Sequence, residues 1–261
     1  MQNRTIENTS EENKPMSKTI IEANHIKKSF DEKTVIEDVS FELNEGENLV
    51  VMGKSGSGKS VLIKCVIGLL RPDSGDLNVL GYDLMNIDED HLIELRRKVG
   101  YLFQGGALYD SMTVERNMKF PLRRMVDRPS EGELDDMVDE VLISVGLKDT
   151  RKKLPSELSG GMKKRIALAR TLILKPEIML YDEPTTGLDV ITSNEISELI
   201  LEMKEKFNMS SIIITHDISC VDETADRIMI IDGGHVLAEG QHGEVRNNED
   251  PKIRSYFESV K

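Results

Sequence analysis

The sequence has few of the residues that build disulfide-bonded or membrane-spanning proteins. Its 261 residues include two cysteines and no tryptophan, and 4% of them are aromatic. Two cysteines are too few for a disulfide framework, and Cys65 falls in an apolar helix-like run, so both are predicted to be reduced. No apolar run approaches the roughly 18–20 residues that span a bilayer. We therefore expect a cytoplasmic chain, and for any membrane process a second polypeptide has to supply the membrane-spanning part.

Basic residues are outnumbered by acidic ones. The chain has 34 Lys and Arg against 47 Asp and Glu, a net charge of −13. An acidic surface disfavours nonspecific nucleic-acid binding, which needs clustered cations to replace counterions. We expect no nucleic-acid partner. The apolar fraction of 38% is enough for a core, and the length predicts one domain or one domain with a lobe.

Composition divides the chain into three parts. Residues 1–17 are polar and aperiodic, which predicts a disordered tail. Residues 18–245 carry strands and helices of an α/β domain, and residues from about 105 to 170 interrupt it with a helical lobe. Residues 246–261 are predicted to be a C-terminal helix or a solvated tail. Several Ile- and Val-rich strands lack alternation, as expected for a parallel sheet covered on both faces.

A glycine-rich loop lies between a predicted strand and a predicted helix. Residues 53–60 read GKSGSGKS, the G-x-x-x-x-G-K-[ST] pattern of a phosphate-binding loop. Its glycines let backbone N–H groups point inward, and the helix adds its positive end. Lys59 is predicted to reach the β- and γ-phosphates, and Ser60 to bind Mg²⁺. The predicted nucleotide-binding residues of this loop are Gly53, Lys54, Ser55, Gly56, Ser57, Gly58, Lys59, Ser60 and Val61.

Two carboxylates end the apolar strand at residues 178–183 (IMLYDE). A buried strand delivers Asp182 beside the phosphate loop, where it is predicted to hold Mg²⁺ through water. Glu183 is placed to polarise the attacking water as a general base, a role that contributes roughly 10²–10⁴ in rate. The alternative is that both acids only cap the strand before Pro184.

His216 ends the next β-branched run, residues 212–215. Ligands bind where the carboxyl ends of parallel strands meet, so His216 is predicted to contact the γ-phosphate and orient water with Glu183. A purely structural histidine is the alternative. The other four histidines have no such setting and are interpreted as surface residues.

Five separated motifs together resemble the nucleotide-binding subunit of an ABC transporter. They are GKSGSGKS, Gln104, LSGGM (residues 158–162), YDEPTTGLD (residues 181–189) and THD (residues 215–217). The resemblance implies a P-loop NTPase fold with a RecA-like core, an antiparallel β subdomain and a helical subdomain. It also implies a head-to-tail homodimer with two ATP molecules between the subunits.

Further site residues come from that resemblance. Ser159, Gly160 and Gly161 would complete the partner's ATP site, and Asp189 would communicate across the interface. Phe30 matches the aromatic position that stacks on adenine, with a core phenylalanine as the alternative. Gln104 resembles the catalytic-site residue that links Mg²⁺ to the helical lobe and the permease.

A finer resemblance points to one transport class. The segment LFQGGALYDSMTVERN and the motif LSGGM, in which Met162 replaces the commoner Gln, look like the MlaF-type ATPase of MCE phospholipid transport systems. That implies an MlaE-type permease dimer, indirect contact with an MCE-domain protein, and a position on the cytoplasmic face of the inner membrane. Val190 departs from the Pro that many relatives have there.

Other functions remain open at this level. The same core motifs serve importers and exporters of other substrates. A soluble ABC-type ATPase acting on DNA or ribosomes is disfavoured by the acidity and by the short span of residues 104–159. A regulatory module without turnover is disfavoured because Lys59, Asp182, Glu183 and His216 are all present.

Overall fold

A mixed sheet forms the centre of the computed structural model, which describes residues 18–124 and 128–258. The predicted tail, residues 1–17, and the last residues of the predicted C-terminal segment lie outside these ranges. The strands are β1 (Thr19–Phe30), β2 (Lys33–Asn44), β3 (Asn48–Gly53), β4 (Ser74–Val79), β5 (Tyr82–Asp83), β6 (Val99–Leu102), β7 (Ile178–Asp182), β8 (Ser210–Ile214), β9 (Arg227–Asp232) and β10 (His235–Gln241). Their order is β5-β4-β1-β2-β10-β9-β3-β8-β7-β6.

Five of these strands, β9, β3, β8, β7 and β6, pair in parallel. Every residue of β3, β6, β7 and β8 is buried, as their unbroken apolar runs predict for a sheet covered on both faces. Parallel strands end at the same edge of a sheet. The phosphate loop, the two carboxylates at the end of β7 and the histidine after β8 therefore lie at one edge.

The other half of the sheet is antiparallel. The long pair β1 and β2 has several register shifts, and β4 joins β1 on its other side. β10 pairs antiparallel with β9 and makes one parallel pair, His235 with Asp38, to β2. The α/β fold with an antiparallel β subdomain is therefore confirmed.

Helices cover the sheet and build the lobe. They are α1 (Lys59–Val66), α2 (Glu89–Lys98), α3 (Val114–Leu122), α4 (Glu131–Ser144), α5 (Gly160–Leu172), α6 (Val190–Phe207), α7 (Ile218–Thr224), α8 (His242–Arg246) and α9 (Pro251–Arg254). The lobe consists of α3, α4 and α5. Ser130 begins α4 with a capping box to Glu133, which satisfies two backbone N–H groups. No helix of the described residues is long and apolar enough to cross a membrane.

Two apolar clusters lie on opposite faces of the sheet, because alternate side chains of a strand point to opposite faces. On β7, Met179 and Tyr181 join the cluster under the helical lobe. Leu180 joins the cluster around α1 and the antiparallel strands. Cys65 and Cys220 are free and buried, and burial raises the pKa of the Cys65 thiol to about 12.

The C-terminal segment folds back on the domain. In the segment predicted as a helix or a tail, α9 is a four-residue helix with Asp250 as its N-cap. Ile253 and Phe257 are buried in the cluster under the lobe. Lys252 pairs with Asp232 at the end of β9, with 2.7 Å between Nζ and Oδ2.

Candidate active site

The phosphate loop connects β3 directly to α1. Lys59, the first residue of α1, is buried and donates to the backbone carbonyls of Gly53 at 2.6 Å and Lys54 at 3.2 Å. Gly58 caps α1 with φ of 99°, and a Cβ there would lie 2.9 Å from the carbonyl oxygen of Val35. Only glycine fits this turn without strain.

The loop has the features of an anion site. The hydroxyl of Ser57 is buried and has no hydrogen-bond partner among the described residues. The first N–H groups of α1 have no intrahelical acceptor. Burial lowers the pKa of Lys59, while Glu183 and Asp182 act in the opposite direction. Cationic, hydroxyl and N–H donors in one loop fit a triphosphate.

Asp182, the last residue of β7, meets α1 and β6. Its Oδ1 accepts from the Ser60 hydroxyl at 2.9 Å, and its Oδ2 accepts from the Tyr101 hydroxyl at 3.0 Å. Burial, and then the charge of Asp182, raise the pKa of Tyr101, so the phenol stays a donor. One carboxylate and one hydroxyl beside a phosphate site fit Mg²⁺, which takes few protein ligands and relies on phosphates and water.

Glu183 follows in an unusual backbone conformation. Its φ of 52° is left-handed, which costs a non-glycine residue about 1–2 kcal/mol. Its N–H donates to the Ile214 carbonyl at 2.9 Å. Its Oε2 lies 2.8 Å from Nδ1 of His216 and accepts from the Thr186 hydroxyl at 3.1 Å. The side chain of Glu183 is 14% exposed and that of His216 is 70% exposed, so solvent reaches this pair from the histidine side.

Gln104 lies in the loop after β6, two residues past Leu102, and it is exposed. Among the described residues, its side-chain amide makes no hydrogen bond to Ser60 or Asp182. Its backbone carbonyl is the group that contacts a neighbouring side chain of the site. Lys164, a buried residue of α5, donates to the Gln104 carbonyl at 2.5 Å and lies 3.4 Å from the Glu183 carbonyl. Burial lowers the pKa of Lys164, against the attraction of Glu183 and Asp182.

In the LSGGM motif, Leu158 is buried, whereas Ser159 and Gly160 are exposed at the start of α5. Ser159 is the N-cap of α5 and accepts from the N–H of Met162 at 3.2 Å. A Cβ on Gly161 would lie 2.5 Å from Cγ2 of Thr192, so α5 and α6 begin in contact. Asp189 caps α6 and accepts from the Thr192 hydroxyl at 2.7 Å, which lowers the pKa of that carboxyl.

Phe30 ends β1 with its ring open to solvent. It is 41% exposed, and Nζ of Lys28 lies 5.5 Å from the ring centroid. This exposure argues against a core phenylalanine.

Sequence reasoning missed three residues that contact this site. Tyr101 donates a hydrogen bond to Asp182, and Thr186 donates one to Glu183. Lys164 donates one to the backbone carbonyl of Gln104. Thr186 was within a quoted motif, three residues after Glu183, and that spacing was a usable signal. No comparable spacing signal marks Tyr101 or Lys164, because each lies far in sequence from the group it contacts: Tyr101 is on β6 and Lys164 is on α5.

The fold and this site together define a P-loop ATPase. The family model of the ABC transporter matches residues 36–186. A protein of Mycobacterium bovis, "Probable ribonucleotide transport ATP-binding protein mkl", is 38% identical over 237 residues, which cover 91% of this chain and 66% of that protein. "Protein TRIGALACTOSYLDIACYLGLYCEROL 3, chloroplastic" of Arabidopsis thaliana is 37% identical over 256 residues, 92% of this chain and 74% of the relative. A "Methionine import ATP-binding protein MetN" of Carboxydothermus hydrogenoformans is 40% identical over 205 residues, 78% of this chain and 60% of the relative.

Solved structures are similar as well. The dimeric ATP-binding cassette MJ0796, in a post-hydrolysis state bound to ADP and Pi, superimposes with a TM-score of 0.77 at 29% identity. The match covers 85% of this chain and 98% of that one. The chain belongs to the ABC transporter family and carries its ATPase domain. It spans somewhat less than two thirds of the length of the mycobacterial relative.

Proposed function

We propose that this chain hydrolyses ATP as a head-to-tail homodimer and thereby energises a separate membrane permease. One observation carries the proposal: the Ser60–Asp182 pair and the Glu183–His216 pair lie at one sheet edge beside the Lys59 loop. Binding groups for a metal-bound triphosphate and a base for water thus lie together.

Each side chain then has a role that its contacts support. Lys59 and the loop N–H groups bind the phosphates, and Ser60 and Asp182 bind Mg²⁺. The bound Mg²⁺ would neutralise charge on the phosphate oxygens. Glu183 accepts a proton from water, and His216 holds its carboxylate at 2.8 Å. Phe30 stacks on the adenine.

The exposure of Ser159 and Gly160 in the LSGGM motif supports the dimer. A phosphate loop leaves one side of the γ-phosphate open. The exposed N-terminus of α5, which has no acidic residue in its first turn, presents Ser159, Gly160 and Gly161 as donors. The MJ0796 cassette, similar in fold, is described as dimeric. ATP thus joins two copies, and its hydrolysis releases them.

For the cargo we propose phospholipid, moved through an MlaE-type permease dimer together with an MCE-domain protein. The segment LFQGGALYDSMTVERN supports this, because it resembles the MlaF-type ATPases. The plant relative whose name is that of a galactolipid supports it as well. Phe103 and Tyr109 lie within that segment and are 41% and 40% exposed, so they are available to a permease. The permease places the chain on the cytoplasmic face of the inner membrane. A methionine importer is the competing assignment, because a relative of similar identity carries that name.

Purification with native partners tests the cargo. Tagged Glu183→Gln chain is extracted from its own membranes with MgATP, which should hold the nucleotide-bound dimer on its permease. Lys59→Ala, which should not bind ATP, is the matched control. We expect mass spectrometry to find an MCE-domain protein and bound phospholipid with the first variant. Recovery of an amino-acid-binding protein instead would overturn the lipid assignment but leave the ATPase assignment standing.

A further inference from the structure

The carboxylate of Asp182 is held by two hydroxyls, one on each oxygen. Ser60, in the phosphate loop, donates to Oδ1 at 2.9 Å, and Tyr101, on the neighbouring strand, donates to Oδ2 at 3.0 Å. Tyr101 pairs in register with Leu180, two residues before Asp182 on the adjacent parallel strand. The side chains of Tyr101 and Asp182 are therefore on the same face of the sheet, since residues two apart on a strand share a face.

Two hydrogen bonds in different directions fix the rotation of a carboxylate. With Ser60 alone, the group would remain free to turn about its Cβ–Cγ bond, a broad torsion with little intrinsic preference. Tyr101 is 8% exposed and packs against Phe103 in a tilted arrangement, with 4.2 Å between ring centroids and 47° between ring planes, so its hydroxyl is itself held in place. Asp182 is also 8% exposed, and little solvent is available to replace a lost donor.

We propose that Tyr101 is a positioning residue for the metal site: its hydroxyl orients Asp182 so that Oδ1 faces Ser60 and the metal. This rests on the proposed role of Ser60 and Asp182 in binding Mg²⁺. Tyr101 itself makes no contact with the metal or the nucleotide. Its loss weakens metal binding and leaves metal-free nucleotide binding unchanged.

Tyr181 offers a matched control on the next strand. It is a buried tyrosine as well, 0% exposed, but its side chain belongs to the cluster on the opposite face of the sheet, beside Ser211. Tyr101→Phe and Tyr181→Phe thus delete the same atom from two buried tyrosines, and only the first deletion touches Asp182.

The experiment uses full-length chain carrying Glu183→Gln, so that ATP is not consumed. Electron paramagnetic resonance measures the affinity of the ATP-loaded protein for Mn²⁺, and a fluorescent ATP analogue in EDTA measures metal-free binding. For Tyr101→Phe we expect Mn²⁺ affinity to fall about tenfold, since hydrogen bonds to charged groups are among the stronger ones. Metal-free analogue binding should stay within twofold, and Tyr181→Phe should match the parent in both measurements.

A second readout uses hydrolysis without Glu183→Gln. The MgCl₂ concentration that half-saturates turnover should rise about tenfold for Tyr101→Phe, and excess MgCl₂ should restore kcat. Tyr101→Met, which also lacks the hydroxyl, replaces Tyr101→Phe if the latter does not fold. Unchanged Mn²⁺ affinity in Tyr101→Phe, or an equal loss in Tyr181→Phe, overturns the inference. Absence of Mn²⁺-dependent ATP binding in the parent itself would instead overturn the proposed metal role of Ser60 and Asp182.

Discussion

Thr186→Val tests whether Glu183 has to be held from two sides. The substitution keeps the shape of the side chain and removes the hydroxyl that donates to Oε2 of Glu183 at 3.1 Å. The same oxygen keeps its 2.8 Å contact with Nδ1 of His216. The carboxylate thus loses one of its two partners among the described residues, while the phosphate loop is untouched.

The size of the effect follows from burial. A hydrogen bond to a charged group contributes about 1.5–3 kcal/mol, and the 14% exposure of Glu183 lets solvent replace only part of it. If about 1.4 kcal/mol is lost from the transition state, kcat falls about tenfold. The KM for ATP should change less than twofold, because Lys59 and its loop carry nucleotide binding.

Steady-state phosphate release over a range of ATP concentrations measures both constants. Thr224→Val is the control, because its hydroxyl donates to the Cys220 carbonyl at 2.6 Å within α7 and does not contact Glu183. In a double mutant with His216→Ala the losses should not add, since both groups act on one oxygen. A kcat within twofold of wild type in Thr186→Val, or a tenfold rise in KM alone, would refute the reasoning.

Three further predictions concern binding, turnover and stability. Glu183→Gln should retain ATP binding, trap a nucleotide-bound dimer seen by size-exclusion chromatography, and lower turnover roughly 10²–10⁴-fold; wild-type-like turnover with the permease would remove Glu183 from the base role. Lys59→Ala should lose ATP binding with the missing phosphate charge, and unchanged affinity by calorimetry would contradict this. Asn117→Asp should lower the free energy of unfolding by about 3 kcal/mol, because its buried amide donates to three backbone carbonyls. A urea midpoint equal to that of wild type would rule that out.

The buried parallel strands were predictable from the sequence because both faces of each are covered. The predicted runs at residues 178–183 and 212–215 overlap β7 and β8, and their bounds differ from those of the two strands by one or two residues. Other elements were missed, among them α2 and β4. The helix α2 buries only Leu95, so it has no apolar stripe to detect. The strand β4 begins with Ser74 and Gly75, residues that are more typical of a turn than of a strand. Gly75 is needed because a Cβ there would lie 2.4 Å from the His25 carbonyl oxygen.

By itself, the sequence determined which side chains can meet a triphosphate. The glycine pattern of residues 53–60 specifies a tight turn locally. An apolar strand that ends in an acid, as β7 ends in Asp182, places that acid at the edge of the sheet whatever the position of the strand in the sheet. Only the tertiary structure decided what holds those groups in place. Tyr101 and Asp182 are 81 positions apart, and Lys164 and Gln104 are 60 apart. Such contacts depend on which strands become neighbours and which helix packs beside them, and this is set by the packing of the whole chain rather than by any local pattern.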